Sequence, residues 1–136
     1  MELVLDTNIL LSGLLKPSTT QKILLANTLT FFAPEFSLIE IEKHSEEFAK
    51  RMGKNRKEFE TALLLLLSNV KIIPKEEYKQ FEKKAQALCP EKHKDDWPFI
   101  ALALKLDCSL WSNDTALKGQ VAVKVLSTKE LIEELK

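Results

Sequence analysis

Cysteine, histidine and glycine are all scarce in this chain, and each scarcity narrows what the protein can be. The 2 cysteines, Cys89 and Cys108, are not spaced as a metal knuckle, and Cys108 lies in an apolar run. Both read as free, largely inert thiols of a reducing cytosol. Histidine occurs only at His44 and His93. A zinc site is therefore short of soft ligands, even though Glu40 and His44 have the spacing of neighbours on one helix face. The 3 glycines, with little Asn or Gln beside abundant Lys and Glu, point to a heat-tolerant composition. Excess positive charge is missing too. The 20 Lys and Arg balance 20 Asp and Glu, which argues against retention on nucleic acid by bulk charge and leaves only a local basic stripe. The greasiest stretch, residues 63 to 67, is far too short to span a bilayer, and no basic leader precedes Leu3. A cytoplasmic protein without membrane attachment is expected. No repeat, low-complexity tract or linker interrupts the 136 residues, so one domain over 1–136 is expected, with a core that needs no disulfide.

What is present is an alternation of short apolar runs with longer amphipathic ones, the pattern of an α/β domain with a parallel sheet. Strands are predicted at residues 2–5, 30–33, 70–73, 108–111 and 122–126, with a single turn around 115–118 between the last two. Helices are predicted at 7–15 and from a Ser18–Gln21 capping box to about 26. A further helical pair over 35–69 has Ile39, Ile41, Phe48 and Met52 on an imperfect apolar face and Gly53 at a C-cap. Residues 76–88 read as a helix with Tyr78, Phe81, Ala85 and Leu88 on one side. Pro98 belongs in the first turn of another that runs to Leu106. A second capping box, Ser127 to Glu130, opens the closing helix, whose Leu131, Ile132 and Leu135 should face inward.

The chemistry-bearing residues are acids at the ends of these elements. Asp6-Thr7-Asn8 follows the first strand, and Ser112-Asn113-Asp114 follows the strand ending at Trp111. Each acid has an innocent reading. Asp6, Asp95 or Asp96, and Asp114 could each cap a helix or turn, and Ser37 to Glu40 could be a capping box of its own. Their joint placement is harder to explain that way. In right-handed βαβ units, the residues after parallel strands gather along one sheet edge. Carboxylates gathered there repel one another unless a cation lies between them, and oxygen donors favour Mg²⁺ or Mn²⁺.

Four segments in order, Asp6-Thr7-Asn8-Ile9-Leu10, residues 34–40, Asp95-Asp96-Trp97-Pro98-Phe99-Ile100-Ala101-Leu102-Ala103, and Leu110-Trp111-Ser112-Asn113-Asp114, resemble the PIN-domain ribonucleases, of the VapC-like toxin type. The resemblance covers nearly the whole chain. It implies a three-layer α/β/α fold with a central, mostly parallel sheet of about four to five strands and a helical hairpin. It matches Asp6, Glu40, Asp96 and Asp114 to the family's acidic quartet, with Asn8 and Ser112 as supporting polar positions. Asp6 and Asp114 would be the main ligands, Asp96 a second-site or outer-sphere acid, and Glu40 a ligand or a group that orients water. Thr7 is expected to do no more than start the helix. No histidine falls at a matching position, which fits a nucleophile generated by metal rather than by an imidazole base. Asp95 competes with Asp96. The latter is preferred because it shares a helical face with Ile100 and Ala103. Glu42 competes with Glu40, but only Glu40 has the spacing from Pro34. Asn113 stands where glycine is common, a tolerable exchange because Asn accepts left-handed backbone angles.

The resulting expectation is a Mg²⁺- or Mn²⁺-dependent endoribonuclease, the toxin of a type II toxin–antitoxin pair. The alternative is a non-catalytic PIN-like module that binds RNA or protein. That module would be marked by loss of an acid, and here all four positions are filled. Lys50, Arg51, Lys54, Arg56 and Lys57 at the hairpin tip are candidate RNA contacts, as are Lys92 and Lys94 in a polar loop with His93. The leucine run is wider than one core face requires and fits burial against a second subunit, making a homodimer, or against an antitoxin helix. Trp97 and Trp111 are expected as packing anchors.

Overall fold

The computed structural model describes residues 1–136. Five strands, β1 (Glu2–Leu5), β2 (Thr30–Pro34), β3 (Val70–Ile73), β4 (Ser109–Trp111) and β5 (Val125–Leu126), form one sheet in the order β3-β2-β1-β4-β5. Every pairing is parallel, with Leu3 opposite Phe31 on one side and Ser109 on the other. Eight α-helices cover it: α1 (Thr7–Leu15), α2 (Thr19–Leu25), α3 (Glu35–Lys43), α4 (Ser45–Arg51), α5 (Arg56–Leu67), α6 (Glu82–Leu88), α7 (Trp97–Leu106) and α8 (Thr128–Glu134).

Side chains alternate across the sheet with the period of two that a pleated strand imposes. Leu3, Leu5, Phe31, Ala33, Trp111 and Leu126 enter one core, beneath α1, α2 and α5. Val4, Phe32, Leu110 and Val125 enter the other, where α7 lies, apolar but for Lys105. A sheet buried on both faces requires near-continuous apolar strands, and β1, β2 and β4 have them. The sheet is thus sandwiched in a three-layer α/β/α arrangement. No helix is long and apolar enough to cross a membrane.

The strand order also locates the functional edge. Connections from β1 run outward to β2 and β3 on one side, while β4 and β5 lie on the other, so the chain reverses direction between β1 and β4. Residues following those two strands line the crevice that such a switch point opens.

Several expectations needed correction. The helical pair over 35–69 is three helices, broken at His44 (φ −113°, ψ 20°). Ile39 and Ile41 stand two apart and cannot share a face; Ile41 is fully buried and Ile39 is 61% exposed. Gly53 does take the left-handed angle of a helix stop, at φ 68°. Ser37 opens no capping box, because β2 runs on to Pro34 and the helix starts there; Ser37 is buried inside α3. Ser18 caps α2, but Gln21 does not return the bond and donates instead to Gly13 O at 2.9 Å. Residues 76–88 are two 3₁₀ turns and a short α6, because Tyr78 leaves helical angles to bury its ring against Trp97. Only Val125 and Leu126 of the predicted last strand pair. The Gln120 side chain binds Val123 N and Val123 O at 2.8 Å each, closing a turn that withdraws those groups from the sheet. The capping box of α8 is complete, but Leu135 is 45% exposed.

Candidate metal centre

Each acid reaches the crevice on a different element, and the capping and site readings turn out to be compatible. Asp6 is the N-cap of α1, and one of its oxygens, Oδ1, accepts from Ile9 N at 2.8 Å. Asp114 caps the 3₁₀ turn Thr115–Gly119 in the same way, its Oδ1 accepting from Ala116 N at 3.0 Å. In both, the capping bond is made to Oδ1 and not to Oδ2. Asp96 occupies the N-cap position of α7 but makes no capping bond. Glu40 comes from α3. These four carboxylates line one cavity of about 230 Å³, together with Thr7 and Asn8.

The cavity concentrates negative charge in a poorly solvated place. Asp6 is only 6% exposed. Burial pushes its carboxyl up to about 6; the Ser112 hydroxyl and the Ile9 amide oppose this, and the charges of Asp96 and Asp114 add to it. Burial likewise raises Asp96 above the usual carboxylate range, with His93 pulling the other way and Asp114 and Asp95 pushing up. Ser112 is fully buried behind the acids, and its Oγ accepts from Asp114 N at 3.1 Å. It braces two of the acids at once. Mutually repelling carboxylates with free oxygens are what a divalent cation relieves, and the oxygen-rich donor set fits one.

The remaining predicted residues separate clearly. Asp95 is exposed and outside the cavity. Glu42 faces a neighbouring groove of about 610 Å³. His44 lies on the border, lining both cavity and groove. In the basic segment, Lys50 and Arg56 line that groove beside Glu42, Glu46 and Glu47. Arg56 is paired with Glu60, and Arg51 lies over the Phe48 ring. The ridge is thus less positive than its sequence implies. Lys94 is half-buried, donating to Gln86 O at 2.9 Å and pairing with Glu91, while Lys92 is exposed. Trp111 is fully buried and donates to Thr128 Oγ1, and Trp97 packs on Tyr78, so both are anchors.

Two residues that the sequence reading left aside belong to this site. Thr7 does more than start a helix: its hydroxyl donates to Glu40 Oε1 at 2.7 Å, and Ser37 Oγ lies 3.2 Å away. His93, assigned to a polar loop, brings Nδ1 within 3.4 Å of an oxygen of Asp96 and 3.4 Å of one of Asp114. Its position three residues before Asp96 was the one signal that could have found it. The flanking lysines made the segment look solvated instead.

Comparison with known proteins agrees with this architecture. VapBC2 from Rickettsia felis, solved bound to a DNA fragment from their promoter, aligns with a TM-score of 0.66 at 20% identity, covering 93% of this chain and 98% of that one. At that identity the likeness is one of fold. No curated protein sequence matches. The PIN domain family model matches residues 4–136. It takes in the end of β1, the other four strands and all four cavity acids, and the chain belongs to the PIN-domain family.

Proposed function

We propose that this protein is a divalent-metal-dependent endoribonuclease that hydrolyses RNA phosphodiester bonds, and that it serves as the toxin of a type II toxin–antitoxin pair. The observation that carries the reading is the convergence of Asp6, Glu40, Asp96 and Asp114, from four remote segments, on one cavity at the sheet's switch point. A divalent cation there would supply Lewis acidity, lowering the pKa of a water and offsetting charge that develops on the phosphate.

The chain's own residues do the rest. Asp6 and Asp114 each offer Oδ2, since Oδ1 is committed to a cap, and this fixes the direction from which each binds. Asp96 offers a carboxylate unencumbered by its helix. Glu40, held by the Thr7 hydroxyl, is positioned on the cavity wall to orient the attacking water and accept its proton. Exposed Lys50, Lys54 and Lys57 supply phosphate contacts along the adjoining surface.

The toxin assignment is supported by membership of the PIN-domain family and by the fold shared with VapBC2. Leu64 and Leu65, 71% and 67% exposed, give an antitoxin or a second subunit an apolar footing.

The deciding experiment is RNA cleavage by the purified chain with Mg²⁺, with Mn²⁺ and with EDTA, alongside Asp6→Asn and Asp114→Asn. Cleavage should need metal and disappear in both variants. Activity that survives chelation and both substitutions would overturn the enzyme assignment. Co-purification with the product of a neighbouring small gene, and relief of growth arrest by it, tests the toxin role.

A further inference from the structure

The four acids leave one polar group at the site unassigned. His93 stands on the 3₁₀ segment Glu91–Asp96, at a kink where its own backbone departs from helical angles (φ −123°, ψ 23°). That kink turns the imidazole back over the start of α7, between an acid of its own segment and one that follows β4. Nδ1 is 3.4 Å from Asp96 Oδ2 and 3.4 Å from Asp114 Oδ2. The Asp114 oxygen concerned is the one its cap leaves free. One donor atom from each of His93, Asp96 and Asp114 lies within 4.8 Å of the other two. A cation with bonds of about 2.1 Å can touch all three after small side-chain adjustments.

We propose that His93 is a nitrogen ligand of the cation held by Asp96 and Asp114, and that it turns an oxygen-only site into a mixed one that favours Mn²⁺ and other first-row transition ions over Mg²⁺. This rests on the metal-dependent reading above and names which ion it selects. Mg²⁺ is hard, keeps its waters and gains little from imidazole, whereas nitrogen donors raise affinity for divalent ions along the transition series. The competing account is that His93 is a counter-charge for the two acids in the metal-free protein. It would then leave when the cation arrives. The two accounts differ in sign: removing a ligand weakens Mn²⁺ binding, while removing a competitor strengthens it.

The chain's 2 histidines make the test clean, because His44, at the cavity edge, is the natural control. Mn²⁺ bound to the full chain would be examined by pulsed electron paramagnetic resonance for coupling to an imidazole ¹⁴N. Mn²⁺ and Mg²⁺ affinities would be measured by titration. The expected result is ¹⁴N coupling in the wild type and in His44→Gln but not in His93→Gln. His93→Gln should also lose about tenfold or more in Mn²⁺ affinity, with Mg²⁺ affinity changed much less. Mn²⁺ that binds, depends on Asp114, and yet lacks ¹⁴N coupling in the wild type would overturn the His93 assignment alone. Tighter Mn²⁺ binding by His93→Gln would do the same. A wild-type chain that binds neither ion would overturn the metal site itself.

Discussion

The Thr7 hydroxyl donates to Glu40 Oε1 at 2.7 Å, joining the first residue of α1 to a carboxylate 33 positions later. This bond holds a cavity acid that caps no helix, so Glu40 depends on Thr7 for its orientation. Thr7→Val keeps the shape and removes the donor. RNA cleavage is expected to fall about tenfold through kcat, the scale of a hydrogen bond to a charged group, while Thr7→Ser retains activity. Equal turnover in wild type and Thr7→Val would show that Glu40 does not need this partner.

Asp6 is held in a state that favours its protonated form, and this has a measurable stability cost. Its carboxyl is raised from 3.8 to about 6, so between those values the folded protein binds more protons than the unfolded chain. Its contribution to stability therefore declines as pH rises through that window. The cost is absent below it and complete above it, up to about 3 kcal/mol. Asp6→Asn keeps a capping oxygen for Ile9 N and removes the charge. In EDTA near pH 7 the variant should melt at higher temperature than the wild type, and the advantage should vanish in acid. Adding Mn²⁺ should raise the wild-type Tm and leave that of the variant nearly unchanged. A variant less stable at neutral pH would contradict this account.

Adjacent acids should behave very differently. Asp96 lines the cavity and Asp95 is exposed outside it. Asp96→Asn is expected to reduce cleavage about a hundredfold, and Asp95→Asn by no more than about twofold. Similar losses in a side-by-side kinetic assay would mean that the third acid has been misassigned.

The exposed pair Leu64 and Leu65 predicts association. Leu66 beside them is 3% exposed and belongs to the core, so the run exceeds what the interior can hold. Sedimentation of the isolated chain should find a dimer, and Leu64→Glu with Leu65→Glu a folded monomer. Wild-type chain sedimenting as a monomer at micromolar concentration would remove the homodimer from the proposal.

Gly53 takes a left-handed backbone angle with nothing within 4 Å of where a Cβ would stand. Gly53→Ala therefore meets backbone strain alone. Chemical denaturation should find it less stable by about 1 kcal/mol, with cleavage unaffected. No loss of stability would mean that the turn relaxes.

Much of this protein is legible along the chain because its signals are local. Alternating apolar runs specify parallel strands buried on both faces, and acids just after Leu5 and Trp111 must then fall on one sheet edge. Cap chemistry at Asp6, Ser18 and Ser127 is equally local, since a side chain meets an amide three residues on. Where helices break is different. His44 and Tyr78 interrupt apparently continuous patterns, Tyr78 with its ring buried against Trp97. Tertiary structure alone decided which oxygen each capping acid commits to its cap, and that Thr7 and His93 join the site. Those outcomes depend on angles between elements brought together by folding, such as the kink at His93 and the entry of α3 after β2. Residue order specifies which elements form, while the directions of individual donor atoms emerge only once those elements pack.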